Sequence, residues 1–248
     1  YFILFSNHVF SKEIPVIVIS AGKTPQSYSS VGSQVAIIDS ETIENSPDTF
    51  LTDLLGNEAQ GLNIFQLGGT GTNTGIQMRG LPKRYSTIYI DGVKMYDPSV
   101  PDNAFYAEGL FKDSIDRIEI LKGSQSSLYG NSAVGGTINI FTKKGKFGKH
   151  QNVAVRTGEN NTRNAYYSID GADEIQNYYV GFNYYSTDGI SAMSNDNEND
   201  PYKNNSLTAN HGYKISENNI IENHLTLKDS YLKYDEPTAG RDDTLNSS

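Results

Sequence analysis

The chain has 248 residues, no cysteine and a formal net charge of −9. Disulfides, thiolate metal sites and cysteine catalysis are therefore excluded, and the acidic balance argues against nucleic acid, whose phosphates need a basic face. Hydrophobic residues at 36% and charged residues at 20% fit neither a helical membrane protein nor a highly charged disordered chain.

In chain order, Tyr1-Phe2-Ile3-Leu4-Phe5 is apolar and Val9-Phe10-Ser11 places small or β-branched residues where a signal peptidase looks. Residues 1–11 read as the remnant of a secretory signal whose start is missing; an ordinary buried strand is the alternative. Residues 12–34 hold a β-branched run, Val16-Ile17-Val18-Ile19, followed by flexible polar sequence to Ser33. Such a run is a portable strand that can add to a partner's sheet edge through main-chain bonds, or a simple edge strand of its own domain.

Residues 35–144 read as a small α+β domain. Val35–Ile38 is a short strand, and Asp39 is a good N-cap for a helix over Ser40–Asn45. Ser46-Pro47 predicts the start of a second helix, with Phe50, Leu51, Leu54 and Leu55 on its apolar face and Gly56 placed to stop it. Ile88-Tyr89-Ile90, Asp91-Gly92 and Val93-Lys94-Met95 predict a tight hairpin. Ile115–Leu121 and Thr137–Thr142 are two further strands, and Lys143-Lys144-Gly145-Lys146 is a polar linker.

From residue 151 a period of two takes over. Ala165, Tyr167 and Ile169 alternate with Tyr166, Ser168 and Asp170; Tyr178, Val180, Phe182 and Tyr184 alternate with Asn177, Tyr179, Gly181, Asn183 and Tyr185. Leu207, Ala209 and Tyr213, then Leu225 and Leu227, continue the apolar face. A soluble sandwich gives the same alternation with the apolar face inward. Two features favour a membrane barrel: strands of about 10 residues or more, as a tilted span requires, and connections that alternate short with long. Seventeen Tyr and ten Phe suit a barrel wall as well as any β-rich domain. No stretch reaches the roughly 20 apolar residues of a transmembrane helix, so a membrane role must run through strands.

Three segments carry a resemblance. Val16-Ile17-Val18-Ile19-Ser20-Ala21 looks like an energy-coupling box. Ile76-Gln77-Met78-Arg79-Gly80 and Ile88-Tyr89-Ile90-Asp91-Gly92-Val93 follow. The longest signature is Ile115-Asp116-Arg117-Ile118-Glu119-Ile120-Leu121-Lys122-Gly123, then Ser127-Leu128-Tyr129-Gly130 and Ala133-Val134-Gly135-Gly136-Thr137-Ile138-Asn139-Ile140. In this order they resemble the TonB-dependent outer-membrane receptors, with the strands and loops after residue 145 nearest the cobalamin (vitamin B12) receptors.

The resemblance implies a plug domain over residues 35–144 and, over 145–248, the first five or six antiparallel strands of a transmembrane barrel of about 22 strands. It implies uptake of cobalamin or a ferric siderophore across the outer membrane of a Gram-negative-type bacterium, driven by a periplasmic TonB-type protein, with outer-membrane lipid as the other partner and no nucleic acid. Val16–Ala21 would couple. Plug loops near the substrate would present Thr70, Thr72 and Asn73, then Lys83, Arg84 and Tyr85, then Tyr96, Asp97, Asp102, Phe105 and Tyr106. Arg79, Arg117 and Lys122 would pair with acids of the barrel wall, most of them beyond residue 248. No cofactor is required, but two acidic clusters on outer loops, Asp196 with Asp200 and Tyr234-Asp235 with Asp243, suit Ca²⁺.

Other chemistries fit poorly. The glycine-rich run Leu67–Gly75 leads into strand-like sequence without Gly-Lys-Ser/Thr, which fits a flexible plug loop facing the substrate better than a phosphate cradle. His8, His150, His211 and His224 are scattered, and Ser124–Ser127 lacks a hydrolase elbow. The rival readings are a receptor that binds or signals without transport, and a soluble secreted β-rich binding module. About 98 residues after position 150 make too few strands to close around a plug, so the sequence is expected to be a fragment.

Overall fold

The computed structural model describes residues 17–32, 34–191, 199–217, 219–236 and 241–247. The signal remnant and Val16 lie outside the described residues. β1 (Ile17–Val18) pairs antiparallel with β2 (Gln26–Ser27). β3 (Gln34–Ile38) leads into α1 (Ser40–Asn45), capped by the Asp39 carboxylate, which accepts the Thr42 N–H at 2.9 Å.

α2 (Leu51–Glu58) departs from the sequence expectation at both ends. Ser46 does not cap it: its hydroxyl donates to Asp48 at 2.6 Å and its carbonyl accepts from Lys112 Nζ at 2.8 Å, which fixes residues 46–48 as coil. The Leu51 N–H instead donates to Leu110 C=O at 2.7 Å. Gly56 lies inside the helix, because burial of Leu51, Leu54 and Leu55 outweighs the weak local preference of one glycine.

β4 (Leu62–Gln66) and β5 (Thr74–Met78) form a separate two-stranded ribbon. β6 (Ser86–Ile90) and β7 (Val93–Lys94) are joined by Asp91 and Gly92 at φ 46° and 82°, the left-handed pair that a two-residue hairpin turn needs. β8 (Ile115–Lys122), α3 (Ser126–Tyr129) and β9 (Gly136–Thr142) complete this domain. Its sheet has the order β3-β8-β9-β6-β7, antiparallel except for the β6–β9 pair.

Alternation along β8 and β9 gives this sheet two apolar faces. Ile118, Ile120, Ile138 and Ile140 pack with Ile43 of α1 and Leu51, Leu54 and Leu55 of α2. Each such buried side chain stabilises the fold by about 1.5–3 kcal/mol. Leu121 faces the other way, where Val18, Ala21 and Val31 of the N-terminal segment cover it.

Residues 143–147 lead to a six-stranded antiparallel sheet, arranged in chain order: β10 (Gly148–Thr157), β11 (Arg163–Ala172), β12 (Gln176–Thr187), β13 (Tyr202–Ser216), β14 (Asn219–Glu236) and β15 (Arg241–Ser247). β10 to β14 have 10 to 18 residues, enough for a tilted membrane span. Ala172 to Gln176 and Ser216 to Asn219 are tight connections, whereas Thr187 to Tyr202 is long.

Register decides which face meets what. Val153, Tyr167, Phe182, Leu207 and Leu227 stand side by side in one row across β10–β14. That row points away from the first domain, with Val153 72% and Phe182 44% exposed. The polar face does the packing: Ser168, Asn183 and Asn204 are fully buried. A soluble sandwich would reverse this assignment. An outward apolar band over a filled, polar interior is the arrangement of an outer-membrane barrel wall. No described helix is long and apolar enough to cross a membrane.

Candidate functional site

The strand that resembles a coupling box lies on the open face of the first domain. Val18 is fully buried, and the Ile19 and Ser20 N–H groups donate to the Glu119 carboxylate of β8 at 3.0 and 2.8 Å. Ser20 Oγ donates to the same oxygen at 2.5 Å, and Tyr129 Oη donates to Ser20 C=O at 2.6 Å. Glu119 is itself fully buried and ion-paired with Arg117 at 3.0 Å. Burial pushes the Tyr129 phenol up to about 12, so it stays a donor at any physiological pH.

The loop residues named from sequence are split between two regions, and some of them line a cleft in each. Thr70, Thr72 and Asn73 form the tip of the β4–β5 ribbon, where Thr72 Oγ1 donates to Gly69 C=O at 2.8 Å and Leu67 N–H donates to Asn73 C=O at 3.2 Å. Gly71 has φ 91°, and a Cβ there would sit 2.3 Å from the Tyr202 ring, so only glycine lets the tip rest on the wall. Thr70 lines a cleft of about 310 Å³ with Asp48, Asp53, Glu108, Thr162 and Tyr185. Burial raises the Asp53 and Glu108 carboxyls above their ordinary range.

Lys83, Arg84, Tyr96, Asp102 and Phe105 instead line a second cleft of about 510 Å³. Lys83 pairs with Asp102 at 3.1 Å and lies 4.0 Å from the centroid of the Tyr106 ring. Arg84 lies over Tyr85, whose carbonyl accepts the Gly135 N–H at 3.0 Å. Asp97 is engaged locally, accepting from Ser99 N and Oγ at 2.8 and 2.6 Å.

The bases named from sequence, Arg79, Arg117 and Lys122, make their described contacts within the first domain. Arg117 pairs with Glu119 and stacks on Phe141 at 4.8 Å, both within its own domain. The Arg79 N–H donates to Gly61 C=O at 3.2 Å, and Lys122 Nζ lies beside Gly61. Across the interface with the described strands charges pair in both senses: Lys144 meets Glu222 of the wall, and acids of the first domain meet wall bases. Arg156 grips Asp113 with two bonds of 2.7 and 2.9 Å, His224 faces Asp91 at 3.2 Å, and Lys228 Nζ reaches Glu108 C=O at 3.2 Å. Asn210 adds bonds of 2.7 Å to both Thr142 Oγ1 and Lys143 C=O. Phe50 and Phe111 pack against Tyr185 and Tyr202, with Phe50 and Tyr185 centroids 4.8 Å apart. Sequence reading passed over Arg156 and His224, although both share the polar parity of their strands; that parity was the available signal.

The acidic clusters are placed differently from each other. Asp196 lies outside the described residues, and Asp200 is buried just before β13. The second cluster is not a loop. Tyr234 pairs with Asp243 and Asp235 with Asp242, because β14 and β15 extend as a hairpin to Glu236 and Arg241. Among the described residues, no group of three or more His, Asp or Glu is arranged to hold a metal ion.

Comparison with known proteins identifies the first domain. The model of the TonB-dependent receptor plug domain matches residues 27–137. The chain carries a TonB-dependent receptor plug domain. It is 32% identical over 127 residues to the vitamin B12 transporter BtuB of Vibrio cholerae serotype O1, an alignment that takes in 51% of this chain and 20% of the transporter. The pyoverdine receptor FpvA of Pseudomonas aeruginosa superposes with a TM-score of 0.73 at 15% identity, over 88% of this chain and 30% of that receptor. The siderophore receptor PirA of Acinetobacter baumannii gives 0.63 at 20% identity, over 80% of this chain and 31% of its own. These structural likenesses establish the fold: a plug and part of a barrel wall. The chain spans a fifth of the curated relative and about a third of the solved receptors. Its place is the outer membrane of a Gram-negative bacterium, where the exposed apolar rows of the wall meet lipid.

Proposed function

We propose that the whole receptor takes up a scarce nutrient, cobalamin or a ferric siderophore, by work delivered through a periplasmic TonB-type protein. The observation that carries this reading is the way the plug fills the polar face of the wall through contacts that are specific yet breakable. They are ion pairs, single side-chain hydrogen bonds and one aromatic cluster. A passage closed like this opens only if something pulls, and the β1 segment offers a strand to pull on. The two loop clefts are the proposed substrate contacts; no covalent step is needed.

The test is Val18→Pro in the whole receptor. Proline removes one main-chain donor and fixes φ, which blocks strand addition. Uptake should be abolished while substrate binding by intact cells stays within about twofold. Parallel loss of binding and uptake counts against coupling through this strand.

Calcium on the outer rim is part of the same proposal. The Lys233 N–H donates to Pro201 C=O at 3.1 Å, which sets the Asp200 and Asp235 segments side by side on one rim. Calcium titration of the parent and of an Asp196→Asn/Asp235→Asn variant by calorimetry checks it; identical traces refute the site.

A further inference from the structure

The outward face of the wall ends in charge at one rim. Tight connections close the strands at the opposite end, and the long connection from Thr187 to Tyr202 marks this one as the outer side. Here Thr157, Arg163, Ser186, Lys203 and Tyr231 stand side by side across β10–β14, on the same face as Val153 and Phe182. Arg163 and Lys203 are exposed. Lys233 follows Tyr231 on that face, because Leu232 between them turns inward and is buried against the aromatic cluster. The rim thus gathers bases in a chain whose net charge is −9.

Depth decides what such a row meets. The next outward row toward the membrane holds Val155, Ala165 and Tyr184, and a tyrosine ring suits the hydrocarbon boundary. Two further residues of strand rise about 7 Å. The polar layer outside the hydrocarbon is about 5–7 Å thick on each side. The bases therefore stand at the level of the lipid headgroups, continuous with the apolar rows below them. Arg163 gives one N–H to Asn161 Oδ1 at 2.9 Å, which steadies the guanidinium and leaves the rest of its fork open. The nearest acids lie off the row. Asp229 is one row closer to the bilayer, opposite Asn205, and Glu159 and Asp188 sit on the connections above.

We propose that Arg163, Lys203 and Lys233 form a docking row for the headgroup phosphates of an anionic outer-leaflet lipid. The inference goes beyond uptake, since the row touches neither loop cleft and faces away from the plug. The two residue types divide the task. A guanidinium fork grips a phosphate through paired bonds, whereas an ammonium acts as a point charge. Arg163 and Lys203 are two strands apart, about 10 Å, and so take separate phosphates. Lys203, opposite Tyr231, and Lys233, two residues along, are neighbours at about 7 Å and can share one. Both halves of the lipid are matched on one face: acyl chains lie on the apolar rows while the phosphates meet the bases above.

The experiment titrates the whole receptor in detergent with lipid A, a diphosphorylated lipid, and reads binding by native mass spectrometry. The combined variant Arg163→Gln/Lys203→Gln/Lys233→Gln should lower affinity at least about tenfold, with each base alone worth about three- to fivefold. Lys149→Gln, an exposed base at the other end of the same face, is the control and should leave affinity unchanged. Dephosphorylated lipid A should bind parent and variant alike, and millimolar inorganic phosphate should not displace the lipid. Unchanged lipid A affinity in the combined variant overturns the proposal. An equal loss in Lys149→Gln does so too, because it reveals general charge attraction without a site. Displacement by inorganic phosphate would make this an anion site with no lipid preference, which also sinks it. Sedimentation of the same samples covers the remaining occupant: a changed oligomeric state at constant lipid affinity assigns the row to a second copy of the receptor.

Discussion

The plug and the wall are built from the same period-two alternation and assign it oppositely. In the plug, Ile118 and Ile120 turn inward onto two helices, and the reverse face of the sheet is roofed by the N-terminal segment. In the wall, Val153, Tyr167 and Phe182 turn outward, and the polar parity, with Ser168 and Asn183, is buried against the plug. The contrast shows that alternation reports two unlike faces but not which of them meets water, lipid or protein. What decides is the neighbour. The plug brings its own helices as cover, whereas the wall brings none and leaves its apolar rows for lipid.

The largest effect that tests this contrast is cavity formation. Ile118→Ala should destabilise the plug by about 2–5 kcal/mol, since Ile118 is fully buried in a packed core. Val153→Ala in the wall removes a side chain that touches little protein and should cost no more than about 1 kcal/mol. Calorimetry of the whole receptor in detergent, following the plug and barrel transitions separately, reads both. Comparable losses would erase the distinction between the two regions.

A charge inverts the ranking. Phe182→Lys places an ammonium in the outward apolar row and should cost about 2–4 kcal/mol near the bilayer midplane. The readout is urea unfolding of the receptor in liposomes. A cost near zero would mean that this row does not face lipid.

Between these regions lies their interface, where Asp113 and Arg156 make two bonds. Burial lowers the Lys112 ammonium next to it, while Arg156 stays available as the charged partner of Asp113. A double-mutant cycle with Asp113→Asn and Arg156→Gln should give a coupling energy of about 0.5–3 kcal/mol in plug release by denaturant. Additive single effects would place the holding energy in the aromatic cluster of Phe50, Phe111, Tyr185 and Tyr202 instead.

Much of this architecture was legible because local chemistry and tertiary packing agree. Asp39 caps α1, Asp91-Gly92 turns the hairpin, and the apolar parities of β11 and β12 were read residue by residue. Where the two conflict, sequence reading failed. Ser46-Pro47 looks like a helix start, but Lys112 and Asp48 capture Ser46, and Lys112 is distant in sequence. The plug–wall contacts of Asp113 and Asp91 were missed for a related reason, since Arg156 and His224 lie far along the chain. Arg117 and Glu119 stand two apart on one strand and so share a face, a local signal of their pairing that sequence reading did not use. Glu119 itself sat inside the longest signature without a role, because its partners Ile19 and Ser20 lie about a hundred positions earlier.

The smallest effect concerns a device that the plug uses on a helix and the wall uses on a turn. Asp39 accepts the Thr42 N–H at the start of α1, and this backbone bond holds its carboxyl below the ordinary carboxylate range. Asp173 does the same at the tight β11–β12 connection, accepting from Ile175 and Gln176 at 2.8 and 2.9 Å. Because the folded value is depressed, each contributes stability that is complete above the ordinary carboxylate value of about 3.9 and is lost as pH falls through the lower folded value. Asp39→Ala should therefore lower plug stability by about 1 kcal/mol at pH 7, and the difference from the parent should shrink on acidification. The parent loses its advantage as the carboxylate is protonated, while the alanine variant has none to lose. Asp173 is fully solvated, so its substitution should shift the barrel transition less than Asp39→Ala shifts that of the plug. Thermal unfolding of both variants and the parent, at pH 7 and then in steps down through the carboxylate range, checks the sign. A gap that widens toward low pH would show that Asp39 stabilises α1 by something other than its charge.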